Sequence, residues 1–482
     1  MKKSLCLLLL FASFILPFEA EPFDVLKHLS TVTRYDVARG VSNEALGSSS
    51  NSNGCTPLHL NLLARHGTRS PTKKRIKELD WLAIRLETLL NDAKADRKTI
   101  EQEVPDWLKG WRSPWEGKPK GGELISRGEE ELYHLGVRIR ERFPQLFNVE
   151  YHPDVFSIRA TQVPRASASA VAFGMGLFSQ RGSLGPGKNR AFSVISETRA
   201  SDIWLRFYDT CKTYKEFRES REPDVDKLKK PFFYEIATAL FTRYHLNFTS
   251  QDVSSLWFLC KQQASLLDIT DQACSLFNPS EIALLEWTDD LEVFLLKGYG
   301  NSLNYHMGVP LLQDVIQSME QAIVAKEENH ASGTFEKARL RFAHAETVVP
   351  FTCLLGLFIE GSELDKIARD EPLNFPVKPP MERKWKGSVI APFAGNTMLV
   401  LYQCPANNSE SSKISRNKYF VQVLHNEVPV TLPGCGNVDF CPLDVFKEQT
   451  IGTHLKHDYE MLCSPKTDTL EPPSNPSKEQ SS

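Results

Sequence analysis

Leu58–Ala64 is an apolar run that ends directly on Arg65, and a dense basic stretch follows at once. The run reads as a strand buried on both faces, the pattern of a sheet covered by helices on either side. Residues 65–75 read Arg-His-Gly-Thr-Arg-Ser-Pro-Thr-Lys-Lys-Arg: five Lys or Arg, one His and no acid in eleven residues. Because the cluster begins where a buried strand ends, part of it sits beside the sheet. In open α/β sheets, ligands bind at the C-terminal ends of strands. Burying unpaired guanidinium groups costs free energy, and an anion held between them removes that cost. The forked guanidinium matches the oxygens of a phosphate. Gly67 permits close backbone approach, and Pro71 can start a helix. By composition alone, a phosphate site and a solvated loop explain the cluster equally well.

Further strands are expected at Val155–Ala160, Arg339–Ala343, Thr397–Gln403 and Tyr419–Leu424, with helices at Arg75–Leu90, Glu129–Arg142 and Ser167–Phe178 between them. Strands alternating with helices argue an α/β fold with a mostly parallel sheet flanked by helices. Residues 196–335 carry helical patterns such as Asp226–Phe241 and Leu311–Lys326 and few strand signals. They read as a mostly helical inserted domain between a first α/β part, 21–195, and a second, 336–464.

The 482 residues are 41% apolar and 24% charged, which excludes collagen-like, coiled-coil, wholly disordered and polytopic membrane chains. A net charge of −3 argues against a nucleic-acid binder. Lys2, Lys3, the apolar stretch Ser4–Leu16 and Ala20 read as a signal peptide over 1–20, with no membrane span once it is removed. Residues 465–482 read as a disordered tail without a retention signal. Ten cysteines are present, and Cys6 leaves with the leader; the odd remainder leaves at least one thiol free in an oxidising compartment. Asn247-Phe248-Thr249 and Asn407-Asn408-Ser409 are glycosylation sequons. The expected location is the secretory pathway: extracellular, vacuolar or in the endoplasmic reticulum. Gly182–Lys188 imitates a nucleotide-binding loop, but Asn189 replaces the metal-binding hydroxyl and Pro186 removes an amide. No His/Asp cluster has metal-ligand spacing, so neither metal nor cofactor is expected.

Arg65-His66-Gly67-Thr68-Arg69-Ser70-Pro71 resembles the RHGxRxP signature of the histidine acid phosphatases. The resemblance implies that His66 is the nucleophile and that Arg65 and Arg69 grip the phosphoryl oxygens. Phe156–Thr161 with Pro164–Ala170 resembles the family segment that supplies a third phosphate-binding arginine, which maps onto Arg159; Arg165 is expected to make a surface salt bridge. Arg341–Thr347 contains His344-Ala345-Glu346 where many members have His-Asp. That departure matches the multiple inositol polyphosphate phosphatase (phytase) branch and implies that His344 is a phosphate ligand and Glu346 the proton donor. An acid at the bridging oxygen is needed because an alkoxide leaves poorly. Lys73, Lys74 and Arg75 are candidates for the outer phosphates of a polyanionic substrate, or equally a solvated first helical turn.

Spacing leaves the disulfide connectivity open. Cys435–Cys441 and Cys260–Cys274 can close short loops. The family's pairing implies Cys55–Cys404 and Cys211–Cys463, with Cys353 left as a buried thiol. The whole implies a secreted phosphomonoesterase, acting on inositol polyphosphates including phytate through a phosphohistidine. The rival readings are a broad acid phosphatase or phosphoglycerate-type phosphatase on the same scaffold, and a non-catalytic inositol-phosphate binder. The expected partner is a small polyanion; nothing in the sequence sets an oligomeric state.

Overall fold

The structure is a computed structural model describing residues 23–46, 54–95, 104–118, 120–359, 366, 369, 371, 379–380, 382–405, 418–436 and 438–464. The leader, Cys6, the Asn407 sequon and the tail lie outside the described residues.

One sheet organises the chain. Its strands are β1 (Thr56–Arg65), β2 (Phe156–Ala160), β3 (Ala338–Ala343), β4 (Asn396–Gln403), β5 (Tyr419–His425), β6 (Val428–Val430) and β7 (Phe440–Pro442), in the order β2-β3-β1-β4-β5-β6, with β7 also paired to β5. β2, β3 and β1 run parallel, whereas β4 to β7 pair antiparallel. The sheet is therefore mixed rather than mostly parallel. The apolar runs of β4 and β5 look like those of parallel strands because elements cover them on both faces, and burial sets that pattern more than direction does.

The parallel register aligns two strand ends. Arg65 pairs with Ala343 and Ala64 with Phe342, so β1 and β3 stop level with each other. Leu60, Leu62 and Ala64 pack with Leu135 and Phe173 on one face; Leu63 packs with Met319 and Val348 on the other. The first face is covered by α2 (Ser126–Arg142) and α3 (Pro164–Leu177), which follow α1 (Lys73–Ala95) in the chain. The helical region supplies α4 (Lys212–Tyr244), α5 (Ser250–Gln262), α6 (Pro279–Lys297) and α7 (Val309–Glu327), and α8 (Ala345–Leu354) follows β3. α4 and α5 build a separate core with α1, through Leu79, Leu86, Leu240 and Leu256. α7 instead lies on the sheet: Asn61 Nδ2 donates to Ser318 Oγ at 3.0 Å, and Val315 and Met319 share a core with Leu63.

Four disulfides form: Cys55–Cys404, Cys211–Cys463, Cys260–Cys274 and Cys435–Cys441, the pairs named above. The first joins the start of β1 to the end of β4, where Thr56 and Gln403 are already cross-strand neighbours. Cys353 is free and buried.

Candidate active site

The loop after β1 is held by contacts that only small residues allow. A Cβ on Gly67 would lie 2.3 Å from Gly128 O, and one on Gly128 would lie 2.2 Å from Thr68 O. Two glycines thus bring the loop against the start of α2. There, Glu131 accepts from Thr68 N at 2.7 Å and from Thr68 Oγ1 at 2.8 Å. Gly67 N donates to Ser169 Oγ of α3 at 3.1 Å. His66 N donates to Ala343 O at 3.0 Å, which fixes the residue to the end of β3.

His66 is 2% exposed. Its Nδ1 lies 2.9 Å from Gly67 O; a carbonyl can only accept, so Nδ1 carries the proton and the lone pair falls on Nε2. Burial, then the charge of Arg65, presses the imidazole well below its usual range, so it is neutral.

Arg65 Nη1 donates to Thr31 O, and to Ala391 O at 2.8 Å, while the guanidinium sits 4.6 Å over the Phe393 ring. Arg69 Nη1 donates to Ser70 O at 2.8 Å. Burial and Arg69 lower Arg65 to about 9; burial and Arg165 lower Arg69 to about 10. The Nε atoms of Arg65, Arg69 and Arg165 are buried without a hydrogen-bond acceptor, as are those of Arg159 and Arg206 elsewhere around the sheet end. Such donors are costly to leave unpaired, and an anion set among the first three would satisfy them.

His344 follows β3 as the N-cap residue of α8. Its ring centroid is 5.4 Å from that of His66. Arg165 Nη2 lies 3.4 Å from His344 Nδ1, and Thr161 Oγ1 lies 2.9 Å from Nε2. Guanidinium can only donate, so Nδ1 accepts and Nε2 carries the proton toward Thr161. Burial and Arg165 lower His344 to about 3. Glu346, in the first turn of α8, is 29% exposed and accepts from Lys297 Nζ at 3.0 Å. Burial pushes its carboxyl up, but Lys297 and His344 outweigh that and hold it far below the usual carboxylate range.

His344 and Glu346 line a cavity of about 500 Å³ with Arg165, Arg206, Lys215 and Arg218. Asp209, Glu219 and Glu222 also face it; Asp209 pairs with Arg206 and Glu222 with Arg218. Among the described residues, no group of three or more His, Cys, Asp or Glu could hold a metal ion.

Two placements correct the sequence reading. Arg159 does not join the cluster: it lines a separate small pocket with Asp314 and Arg341, and its guanidinium lies 5.7 Å from the Trp204 ring centre. The reason is alternation. Ile158 and Ala160 point into the core beneath α3, so Arg159 points to the opposite face. Arg165 takes the place instead, because α3 begins at Pro164 beyond the strand end and its first turn returns over the sheet edge. It makes no ion pair among the described residues, in place of the expected surface salt bridge. Of the three basic residues opening α1, Lys73 and Lys74 are exposed, while Arg75 pairs with Glu78 and sits 4.3 Å over the Phe258 ring. Arg206 and Lys297 carried no local signal in the sequence.

The profile of the histidine phosphatase superfamily (branch 2) matches residues 58–426. Multiple inositol polyphosphate phosphatase 1 of Homo sapiens is 27% identical over 387 residues, covering 77% of this chain and 74% of that protein. The Gallus gallus protein of the same name is 28% identical over 389 residues, covering 78% and 77%. Among solved structures, the phytase from D. castellii superposes with a TM-score of 0.66 at 19% identity, over 94% of this chain and 91% of that one. The Bifidobacterium longum multiple inositol polyphosphate phosphatase, in complex with inositol hexasulfate, gives 0.62 at 18% identity, over 87% and 97%. These two likenesses are of fold.

Proposed function

The chain belongs to the histidine phosphatase superfamily (branch 2) and is a phosphatase, and we propose that it removes phosphates from inositol polyphosphates, phytate included, through a phosphohistidine. The observation that carries the reading is a neutral His66, with its lone pair set on Nε2 by the Gly67 carbonyl, beside three arginines whose buried Nε donors lack acceptors.

In the first step His66 Nε2 bonds to phosphorus as the ester P–O bond breaks, and Glu346 gives its proton to the departing alcohol oxygen. In the second step water attacks phosphorus, the P–N bond breaks, Glu346 takes the water proton, and inorganic phosphate leaves. Dividing one displacement into two lowers each barrier. Arg65, Arg69 and Arg165 neutralise the equatorial oxygens in both steps, with His344 as a further phosphate contact once its Nε2–H leaves Thr161 Oγ1 for a phosphate oxygen. The chain begins each cycle with Glu346 ionised against Lys297; the charge of an arriving phosphate favours the protonated form that the first step needs.

The preference for a polyanion is supported by Arg65, Arg69 and Arg165 around His66 and by Lys73 and Lys74 at the exposed start of α1. Among the described residues Lys215 also makes no ion pair, although Glu219 faces the same cavity. The names of the relatives of human and chicken origin point the same way. The four disulfides suit an oxidising compartment and hence the secretory route; no helix among the described residues is long and apolar enough to cross a membrane. Asn247 is exposed, as an acceptor of a glycan must be.

The test is phosphate release from phytate and from simple phosphomonoesters, by wild type and His66→Ala. Selective turnover of phytate that is lost in the variant supports the reading. Equal turnover of all esters points to a broad acid phosphatase, and no turnover by wild type to a binder.

A further inference from the structure

We propose that Lys297 is the positioning residue of Glu346: it fixes one carboxylate oxygen and sets the pH range over which that carboxyl serves as acid and then as base. The inference rests on the role given to Glu346 above. Lys297 is the last residue of α6, which starts from a capping box formed by Asn278 and Glu281. The end of the helix is fixed as firmly as its start. Asn304 Nδ2 donates to Leu295 O at 3.0 Å and to Gly298 O at 2.9 Å. A Cβ on Gly298 would lie 2.5 Å from the Trp385 ring, so only glycine lets the indole close over the helix end. From that backbone Lys297, 15% exposed, donates to Glu346 Oε1 at 3.0 Å. With Oε1 committed, Oε2 is the oxygen that serves the leaving group.

The other charged groups around Glu346 are disposed differently. His344 is two residues before it; Arg65 and Arg69 come from the end of β1 and its loop, Arg165 from α3 and Arg218 from α4. The phenols of Tyr208 and Tyr214 complete the surround. Arg65, Arg69 and Arg165 are the charges that a bound phosphate neutralises, His344 is uncharged, and Arg218 already pairs with Glu222. Lys297 makes the direct contact and remains on the carboxyl once the phosphate is in place. The first step needs Glu346 protonated and the second needs it ionised; Lys297 favours the ionised form. Removing the ammonium lets Glu346 keep its proton to higher pH. At acid pH the ionised form then becomes scarce, and hydrolysis of the phosphoenzyme slows.

The experiment is the pH profile of kcat on an alkyl phosphate, with the burst of aryl alcohol at acid pH, for the full chain as wild type, Lys297→Met and Lys297→Arg. An opposite charge in contact lowers a carboxyl by about 1–3 units. Lys297→Met should therefore move the alkaline limb up by about one pH unit or more and enlarge the burst, while Lys297→Arg keeps the wild-type limb. Lys297→Gln serves the same purpose if the methionine variant does not fold. An unmoved limb, in a variant with unchanged thermal unfolding and unchanged inhibition by inorganic phosphate, overturns the proposal. Glu346→Gln measured alongside separates the two readings. Equal loss of kcat/KM on alkyl and aryl esters fells the role of Glu346 and this inference with it; selective loss on alkyl esters with an unmoved Lys297→Met limb fells this inference alone.

Discussion

Arg165 Nη2 approaches His344 Nδ1 to 3.4 Å, which joins the first turn of α3 to the start of α8 across the open end of the sheet. On the proposed mechanism, the contact favours Arg165 over Arg159 as the third phosphate-binding arginine. Arg165→Lys keeps the charge but loses the fork, and a charge-assisted hydrogen bond contributes about 1.5–3 kcal/mol. The expected result is a fall in kcat/KM of roughly tenfold to a hundredfold, with thermal unfolding unchanged. Arg159→Met should leave kcat/KM near wild type; a larger loss there than at Arg165 would reverse the assignment.

Glu346→Gln removes the proton donor but keeps the shape. The kcat/KM for alkyl phosphates, which reports the phosphorylation step, should fall by about 10²–10⁴-fold, and for aryl phosphates much less, since a good leaving group needs little protonation. The kcat falls for both, because Glu346 is also the base of the second step. Comparing kcat/KM on a matched pair of esters decides it. Losses of equal size would leave Glu346 as a structural anchor for Lys297.

The glycine pair behind the nucleophile predicts a stability effect. Gly128→Ala places its Cβ 2.2 Å from Thr68 O, so backbone must move and the loop carrying His66 shifts with it. A loss of about 1–3 kcal/mol is expected from such overpacking, with reduced activity. Gly40→Ala, on the helix Tyr35–Leu46 with nothing within 4 Å, should be neutral or stabilise by up to about 1 kcal/mol. Denaturant unfolding of the two variants checks both.

The buried histidines give the fold a pH dependence of definite sign. Burial holds His66 low, His344 at about 3, His306 at about 2 and His425 at about 4. Unfolded, each binds a proton below about 6.5, so the unfolded chain takes up more protons. Stability therefore falls as pH drops below about 6.5, by up to about 1.4 kcal/mol per unit for each. Asp290, raised by burial to about 6, works the other way between that value and its unfolded one. His59 is likewise held low by burial, while burial raises the carboxyls of Glu131, Asp202 and Asp80 as it does Asp290. Because the histidines titrate across the whole range when unfolded, the unfolding free energy should decrease from neutral pH toward pH about 5. A constant or rising value over that range would contradict the neutral assignments.

The strand-to-loop join at Arg65 was legible from the apolar run, and His66, His344 and Glu346 from their resemblance to family motifs; each of the three follows a strand end within three residues. Chain continuity alone carries them to one edge of the sheet. Arg165 was not legible: it lies five residues past the end of β2, and only the return of α3 over the sheet brings it back. Lys297 lies 49 residues from Glu346 on a helix whose docking angle no local pattern records. The antiparallel half of the sheet was hidden for a related reason, since β4 and β5 are buried on both faces and lack the alternation that betrays an exposed side.

The central claim is a phosphoryl group carried on His66. Rapid acid-free quenching during turnover of an aryl phosphate, followed by peptide mapping, measures it directly. The account predicts a base-stable, acid-labile phosphoryl group on the peptide containing His66, absent from His66→Ala. A phosphoryl group mapped to another residue, or none in the presence of inversion at a chiral phosphorus, would contradict it.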